Sequence, residues 1–428
     1  MRNHEQASVP LRSDSGIDVQ LRAIVGSAWV QPAGAEDLMC GSVPRFVVEP
    51  GNEAEVAAVL RCANDAGLAV APRGGGTKLD WGNPPRAVDL VLSLARLNRV
   101  VEHAWADMTV TVQAGCTIAE LQHTLAQHGQ RLAIDVLWPE RSTVGGILSV
   151  NDSGVLRLRY GGLRDLVIGS TLALADGTIA ASGGKVVKNV AGYDLSKLAT
   201  GALGTLGVIT QATFRLHPLP RHTRMLSIKA PSVGEAQTLT NALQRASLAL
   251  AALQIRAQSD GAADVDLLLE GTAGGMASQE EYVRRVADTL PVESPTAPVW
   301  EARQQLWLAA EDGTAIAKFS VLPADLGSTL TTVAQLCAEH TARWRAVAQL
   351  TGLGWLRLDT TPGGQAPLLG QLRRQIERAG GSLTILRQQP GAASLDTWGS
   401  VGDALPLMRA VKQQLDPRGT LNPGRFVV

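Results

Sequence analysis

Cysteine is scarce and scattered in this sequence. The four present, Cys40, Cys62, Cys116 and Cys337, form no CxxC pair, and iron–sulfur clusters and structural zinc both need clustered thiolates. The same spread offers no disulfide framework, which fits a reducing cytoplasm. Neither sign of charge is in excess: 39 basic residues meet 39 acidic ones, so a general nucleic-acid binder, which needs a basic surplus, is excluded. No run approaches the roughly 18 apolar residues of a membrane span. The opening MRNHEQASVPLRSDSG is polar and lacks the apolar stretch of a secretory signal. A cytoplasmic protein is expected, meeting the inner face of a membrane only through partners.

What is present is a chain of 428 residues, 45% hydrophobic and 18% charged, with 44 glycines. That length and composition suit one large domain or two ordinary ones with a sizeable core. The glycines fall in groups. Asn52 with Glu55 opens an apolar-periodic helix that Gly67 ends, and a strand from Leu68 runs into Pro72-Arg73-Gly74-Gly75-Gly76-Thr77. Thr109 to Val112 reads as a strand, and Thr117 with Glu120 caps a second helix before Ser142-Thr143-Val144-Gly145-Gly146. A hairpin is predicted around Asp176-Gly177. A third group, Gly201 to Gly207, precedes a strand from Val208 to Leu216. Beyond Pro220 two consecutive β-α-β-β-α patterns predict paired ferredoxin-like halves sharing one sheet, with an insertion carrying Trp300 and Trp307 between them.

Three glycines after a buried strand can turn consecutive backbone N–H groups toward an anion, a diphosphate being the natural guest, with Arg73 adding a fork of donors. A solvent-exposed turn is the simpler reading of one such triplet taken alone. Two nucleotide motifs fail on spacing. Gly201, Gly204 and Gly207 lead into a strand rather than a helix, unlike a dinucleotide fingerprint, and Gly184-Lys185 is followed by Val186 rather than the Ser or Thr of a Walker A loop.

Taken together, the 72–77 loop, Ser142 to Gly146, Tyr160-Gly161 with Asp165, and Gly204-Thr205-Leu206-Gly207-Val208-Ile209 resemble the FAD-binding domain of the vanillyl-alcohol oxidase / p-cresol methylhydroxylase flavoproteins. Leu415 to Arg425 resembles that family's C-terminal return segment, and Lys188 to Leu195 resembles the FAD-binding subunits of bacterial glycolate oxidases. The resemblance implies an α+β fold: a two-part FAD-binding domain over 40–220, a cap of two ferredoxin-like halves over 221–405, a returning segment over 406–428, and an N-terminal lead-in over 1–39. It also implies a set of FAD-binding residues. Pro72, Arg73, Gly74, Gly75, Gly76 and Thr77 would hold the pyrophosphate. Thr143, Gly145, Gly146, Asn151 and Ser153 would line the ribityl and flavin side. Gly207, Val208 and Ile209 would contribute backbone groups, and Asn422 would return near the ring. Covalent members often carry histidine at the position matching Thr77; threonine cannot make that bond, so the FAD is expected to be noncovalent.

Catalytic 2-hydroxyacid dehydrogenases of this family hold a metal through closely spaced histidines, a Lewis acid for the hydroxy-acid. Here the histidines are His4, His103, His123, His128, His217, His222 and His340, and only His340 lies well inside the cap. No metal site is predicted. Arg303 and Lys318 are candidate carboxylate binders; Arg373 and Arg374 read as a solvated helix face, and Trp300 and Trp307 as packing. The leading expectation is the FAD-binding subunit of a glycolate oxidase complex, oxidising a small 2-hydroxy acid beside a catalytic flavin subunit and an iron–sulfur subunit. A self-sufficient 2-hydroxyacid dehydrogenase of D-lactate type and a non-redox structural subunit remain as alternatives.

Overall fold

Asn52, Glu55 and Gly67 form the helix boundaries their spacing predicts. In the computed structural model, which describes residues 14–428 apart from 40, 42, 186–191, 247, 296–297, 311–312, 362 and 389–394, the Asn52 side chain accepts from the Glu55 N–H and Gly67 adopts φ 70°. A side-chain cap of this kind is worth about 1 kcal/mol. The helix it opens, α2 (Glu53–Ala66), follows α1 (Asp14–Val25). Ile17, Leu21 and Val25 of α1 are buried in one core with Val56 and Leu60 of α2. Residues from 14 onward therefore belong to the first folded unit, which corrects the expected lead-in: an apolar face at helical spacing makes α1 part of the core.

That core is shared by two sheets. The first takes β1 (Val30–Pro32), β2 (Phe46–Val48), β3 (Val70–Arg73) and β4 (Leu90–Ser93) in the order β1-β2-β4-β3, with β2, β4 and β3 parallel. After β5 (Val100–Ala104) and β6 (Thr109–Gln113) come α3 (Ile118–Ala126), the short β7 (Gln130–Arg131), α4 (Val144–Val150), α5 (Arg157–Tyr160) and α6 (Leu163–Leu166). The hairpin of β8 (Val167–Ala173) and β9 (Ile179–Gly183) turns at Asp176-Gly177, with Gly177 at φ 82°. α7 (Leu195–Ala199) and β10 (Val208–Arg215) follow, and β11 (His217–Pro218) pairs with β7. The second sheet runs β5-β6-β10-β8-β9 and is antiparallel throughout.

The cap is one antiparallel sheet of eight strands. Its first half is β12 (His222–Ala230), α8 (Val233–Arg245), β13 (Leu250–Gln258), β14 (Ala263–Gly271), α9 (Ala273–Ala287) and β15 (Val292–Glu293). The insertion then contributes α10 (Ala302–Gln305). The second half is β16 (Thr314–Ser320), α11 (Leu326–Glu339), β17 (Arg343–Gln349), β18 (Leu353–Asp359), α12 (Gln365–Arg378) and β19 (Ser382–Arg387). The order β15-β12-β14-β13-β17-β18-β16-β19 is two ferredoxin-like sheets, the second inverted, joined where β13 pairs with β17. The predicted pair of halves is what the chain forms.

α13 (Leu405–Leu415) then leads the chain back to the first sheet. The Val70 N–H of β3 donates to Thr420 O at 2.8 Å and the Asn422 N–H donates to Val70 O at 2.9 Å. Pairing both polar groups of a buried strand residue is what makes this return more than a surface tail.

Candidate functional site

At the end of β3, Gly74, Gly75, Gly76 and Thr77 line one cavity, the concave form that small-molecule sites take. Among the described residues none of their four backbone N–H groups donates to a protein acceptor. The reasons for glycine differ along the loop. Gly76 sits at φ 69°, in the left-handed region, whereas a Cβ on Gly75 would lie 1.7 Å from Arg141 O and one on Gly74 2.1 Å from Thr143 Oγ1. Close packing against the 141–143 segment, not positive φ, therefore demands glycine at 75. Arg73 lines the cavity as well, with its Nη1 on the Asp37 carboxylate at 2.5 Å. Burial would raise that carboxyl, but the hydrogen bond and charge of Arg73 outweigh it and hold Asp37 below the usual range.

The opposite wall is α4. Thr143 accepts the Gly146 N–H at 3.3 Å, and Gly145 lies so near β6 that a Cβ there would be 2.9 Å from Ala114 Cβ. Gly207, Val208 and Ile209 lead into β10 on a third side. Asn422 closes the rim at φ 42°; its Nδ2 donates to Leu203 O at 2.8 Å, and its buried Oδ1 has no protein partner among the described residues. Pro72, Arg73, Thr143, Gly145, Gly146 and Asn422 thus join the loop around one cavity. Asn151 and Ser153 do not line it. They follow α4, Asn151 at φ 51°, and each has a buried side-chain oxygen without a protein partner. Lys188 to Ala191 fall outside the described residues.

Between Asn151 and Ser153 lies the residue the sequence did not single out. Asp152 is buried, and its Oδ1 accepts from Arg303 Nη1 at 2.6 Å while its Oδ2 lies 3.3 Å from Lys78 Nζ. Lys78 directly follows the glycine loop and lines the cavity; Arg303 comes from α10 in the cap. Burial would raise the Asp152 carboxyl, but Arg303 and Lys78 outweigh it and hold it below the usual range. Burial in turn lowers Lys78, with Asp152 opposing. Lys318 of β16 is half-buried, with its Nζ 5.6 Å from the Trp355 ring, and desolvation pushes it down to about 8. Trp307 stacks on Trp81 at 5.7 Å, which is the packing role expected of it. Arg373 departs from expectation: it is buried and donates to Leu383 O, Asp396 O and Thr397 O.

Comparison with known proteins accords with this geometry. Residues 44–183 match the FAD binding domain, and 400–426 match the C-terminal domain of FAD linked oxidases. The chain is 37% identical to the D-lactate dehydrogenase of Archaeoglobus fulgidus over 52% of its own length and 48% of that protein's. It is 36% identical to a glycolate oxidase subunit of Bacillus subtilis over 43% of its length and 39% of that protein's. The matched portion is thus about half or less of these relatives. The fold resembles p-cresol methylhydroxylase with substrate bound at a TM-score of 0.75 and 14% identity, covering 96% of each chain. FAD is the cofactor of the domain that carries the cavity. The cavity residues suit it: loop N–H groups without a protein acceptor among the described residues are free to donate to phosphate oxygens, and glycines keep side chains out of the approach.

Proposed function

We propose that this chain is the noncovalent FAD-binding subunit of a glycolate-oxidase-type complex that oxidises a small 2-hydroxy acid. FAD supplies a two-electron acceptor for the hydroxyl-bearing carbon. The chain's own part is to hold the diphosphate on residues 74–77, to fix the flavin edge between α4 and Asn422, and to cover it with the cap. The observation that carries the reading is the single cavity that gathers three glycine groups and the C-terminal Asn422. Similarity to a glycolate oxidase subunit and to a D-lactate dehydrogenase supports the substrate class. An iron–sulfur subunit and a catalytic flavin subunit are the partners this role requires, since the four cysteines are too dispersed to ligate a cluster.

Arg303 and Lys318 favour a second reading, a self-sufficient dehydrogenase, because two cations beside a flavin could hold a substrate carboxylate. Anaerobic mixing of the isolated, FAD-loaded chain with glycolate or D-lactate separates the two. The subunit reading expects the flavin colour to persist until the partner proteins are added; rapid bleaching by substrate alone would sink it.

A further inference from the structure

Four cationic side chains converge beneath the cap: Lys78 after the glycine loop, Arg157 on α5, Arg303 on α10 and Lys318 on β16. Arg303 and Lys318 face the same Trp355 ring at 4.8 and 5.6 Å, Lys78 lies 3.3 Å from Asp152, and the charge of Arg157 adds to the surroundings that lower Lys318. Desolvated cations are costly unless an anion meets them; Arg157 is met by Asp165 and Asp135, and the other cations chiefly by Asp152. Asp135 is committed to the backbone, accepting from the Val155 and Leu156 N–H groups at 2.9 and 3.0 Å. Asp152 is placed differently. One oxygen faces Arg303 at 2.6 Å, and the other accepts the Leu137 N–H at 3.0 Å beside Lys78 at 3.3 Å.

An arginine, a lysine and a backbone N–H around a planar carboxylate are the donors that would hold the carboxylate of a small acid. Here the carboxylate comes from the chain itself. The place is next to the flavin cavity, since Lys78 lines that cavity as do Ser149 and Val150 just before Asp152. Lys318 lies 5.6 Å from the Trp355 ring, and the buried Trp355 Nε1, which has no hydrogen-bond acceptor among the described residues, borders the same place.

We propose that Asp152 is an internal anion that fills the carboxylate slot between the flavin loop and the cap, so the isolated chain excludes small free carboxylates from its flavin. The proposal rests on the FAD-binding reading above and goes beyond it by making Asp152 the residue that determines access. It explains why a site with the cations for a 2-hydroxy acid would accept electrons from a partner rather than from substrate.

The test uses oxalate, a redox-inert small carboxylate, titrated into the FAD-loaded full chain in chloride-free buffer while the flavin's visible spectrum is followed. Wild type should show no saturable change up to about 10 mM. Asp152→Ala should show one, with affinity at least roughly tenfold tighter. Asp152→Ser, which keeps a polar group near Leu137 N–H, replaces the alanine variant if that one loses its flavin. Saturable binding by wild type overturns the proposal, as does a folded variant whose flavin ignores oxalate, the result expected if Asp152 only braces the two units. FAD content is measured first. A folded chain without flavin would defeat the FAD reading, and the part of the tryptophan emission change that Trp355→Phe removes would then report the same oxalate titration.

Discussion

Gly75 and Gly76 show how adjacent glycines can meet two different physical needs. In sequence, a triplet of glycines suggests freedom of φ. In the fold that freedom is used at Gly76, while Gly75 is fixed by the Arg141 carbonyl 1.7 Å from where a Cβ would stand. Gly75→Val should therefore abolish FAD retention, and even Gly75→Ala should weaken it, because the obstacle is backbone that cannot rotate away. Flavin content of the purified variants measures this; stoichiometric FAD in the valine variant would place the pyrophosphate elsewhere. Lys318 makes a second prediction. Its pKa falls from 10.5 to about 8 on folding, so the folded state binds its proton less readily than the unfolded one. The cost of the charged lysine is complete below pH 8 and disappears as pH rises toward 10.5. Lys318→Met should raise stability near neutral pH by up to about 3 kcal/mol, with the gain shrinking across that window. Thermal melting at a series of pH values reads it, and a gain that does not vary with pH would contradict the assigned burial. Asp152 was illegible in sequence because a lone aspartate has no spacing signature; only the fold brings Lys78 and Arg303 to it.

At the scale of elements, local signals were the reliable ones. The caps at Asn52 and Thr117 and the turn at Asp176-Gly177 stand where residue chemistry placed them. α1 was missed because its apolar positions, Ile17, Leu21 and Val25, are few and follow a polar stretch, so only its partner α2 reveals the buried face. Arg373 was misread for a similar reason: a helix surface looks solvated until the 396–397 segment folds over it and offers carbonyls to the guanidinium. The returning segment carries an element-scale prediction. Deleting residues 417–428 leaves both polar groups of Val70 without their partners, a loss of roughly 1–3 kcal/mol for each buried group. It also removes Asn422 from the cavity rim. The shortened chain should lose its flavin and become protease-sensitive in the first unit, whereas retention of both would show that the return is dispensable.

On the scale of the whole molecule, the two units meet through packed and charged contacts rather than a flexible joint. Arg131 of β7 reaches Glu270 of β14 at 2.7 Å, Tyr160 shares that carboxylate, and Trp81 stacks on Trp307. Glu270→Ala would leave the half-buried Arg131, paired with His217 across β7 and β11, without its anion, a loss of up to about 3 kcal/mol, visible as a lower melting temperature of the entire chain if the units unfold together. The cap's two-fold repeat was readable because each half repeats the same alternation of strand and helix. The charged slot under the cap was not, because its members lie on different elements in both units. The account as a whole depends on the cavity at the end of β3 being a flavin site, and FAD stoichiometry of the purified chain tests that most directly. Stoichiometric FAD that acid precipitation releases into the supernatant is the predicted result; a folded chain that takes up no FAD, or flavin that stays with the precipitated protein, would contradict it.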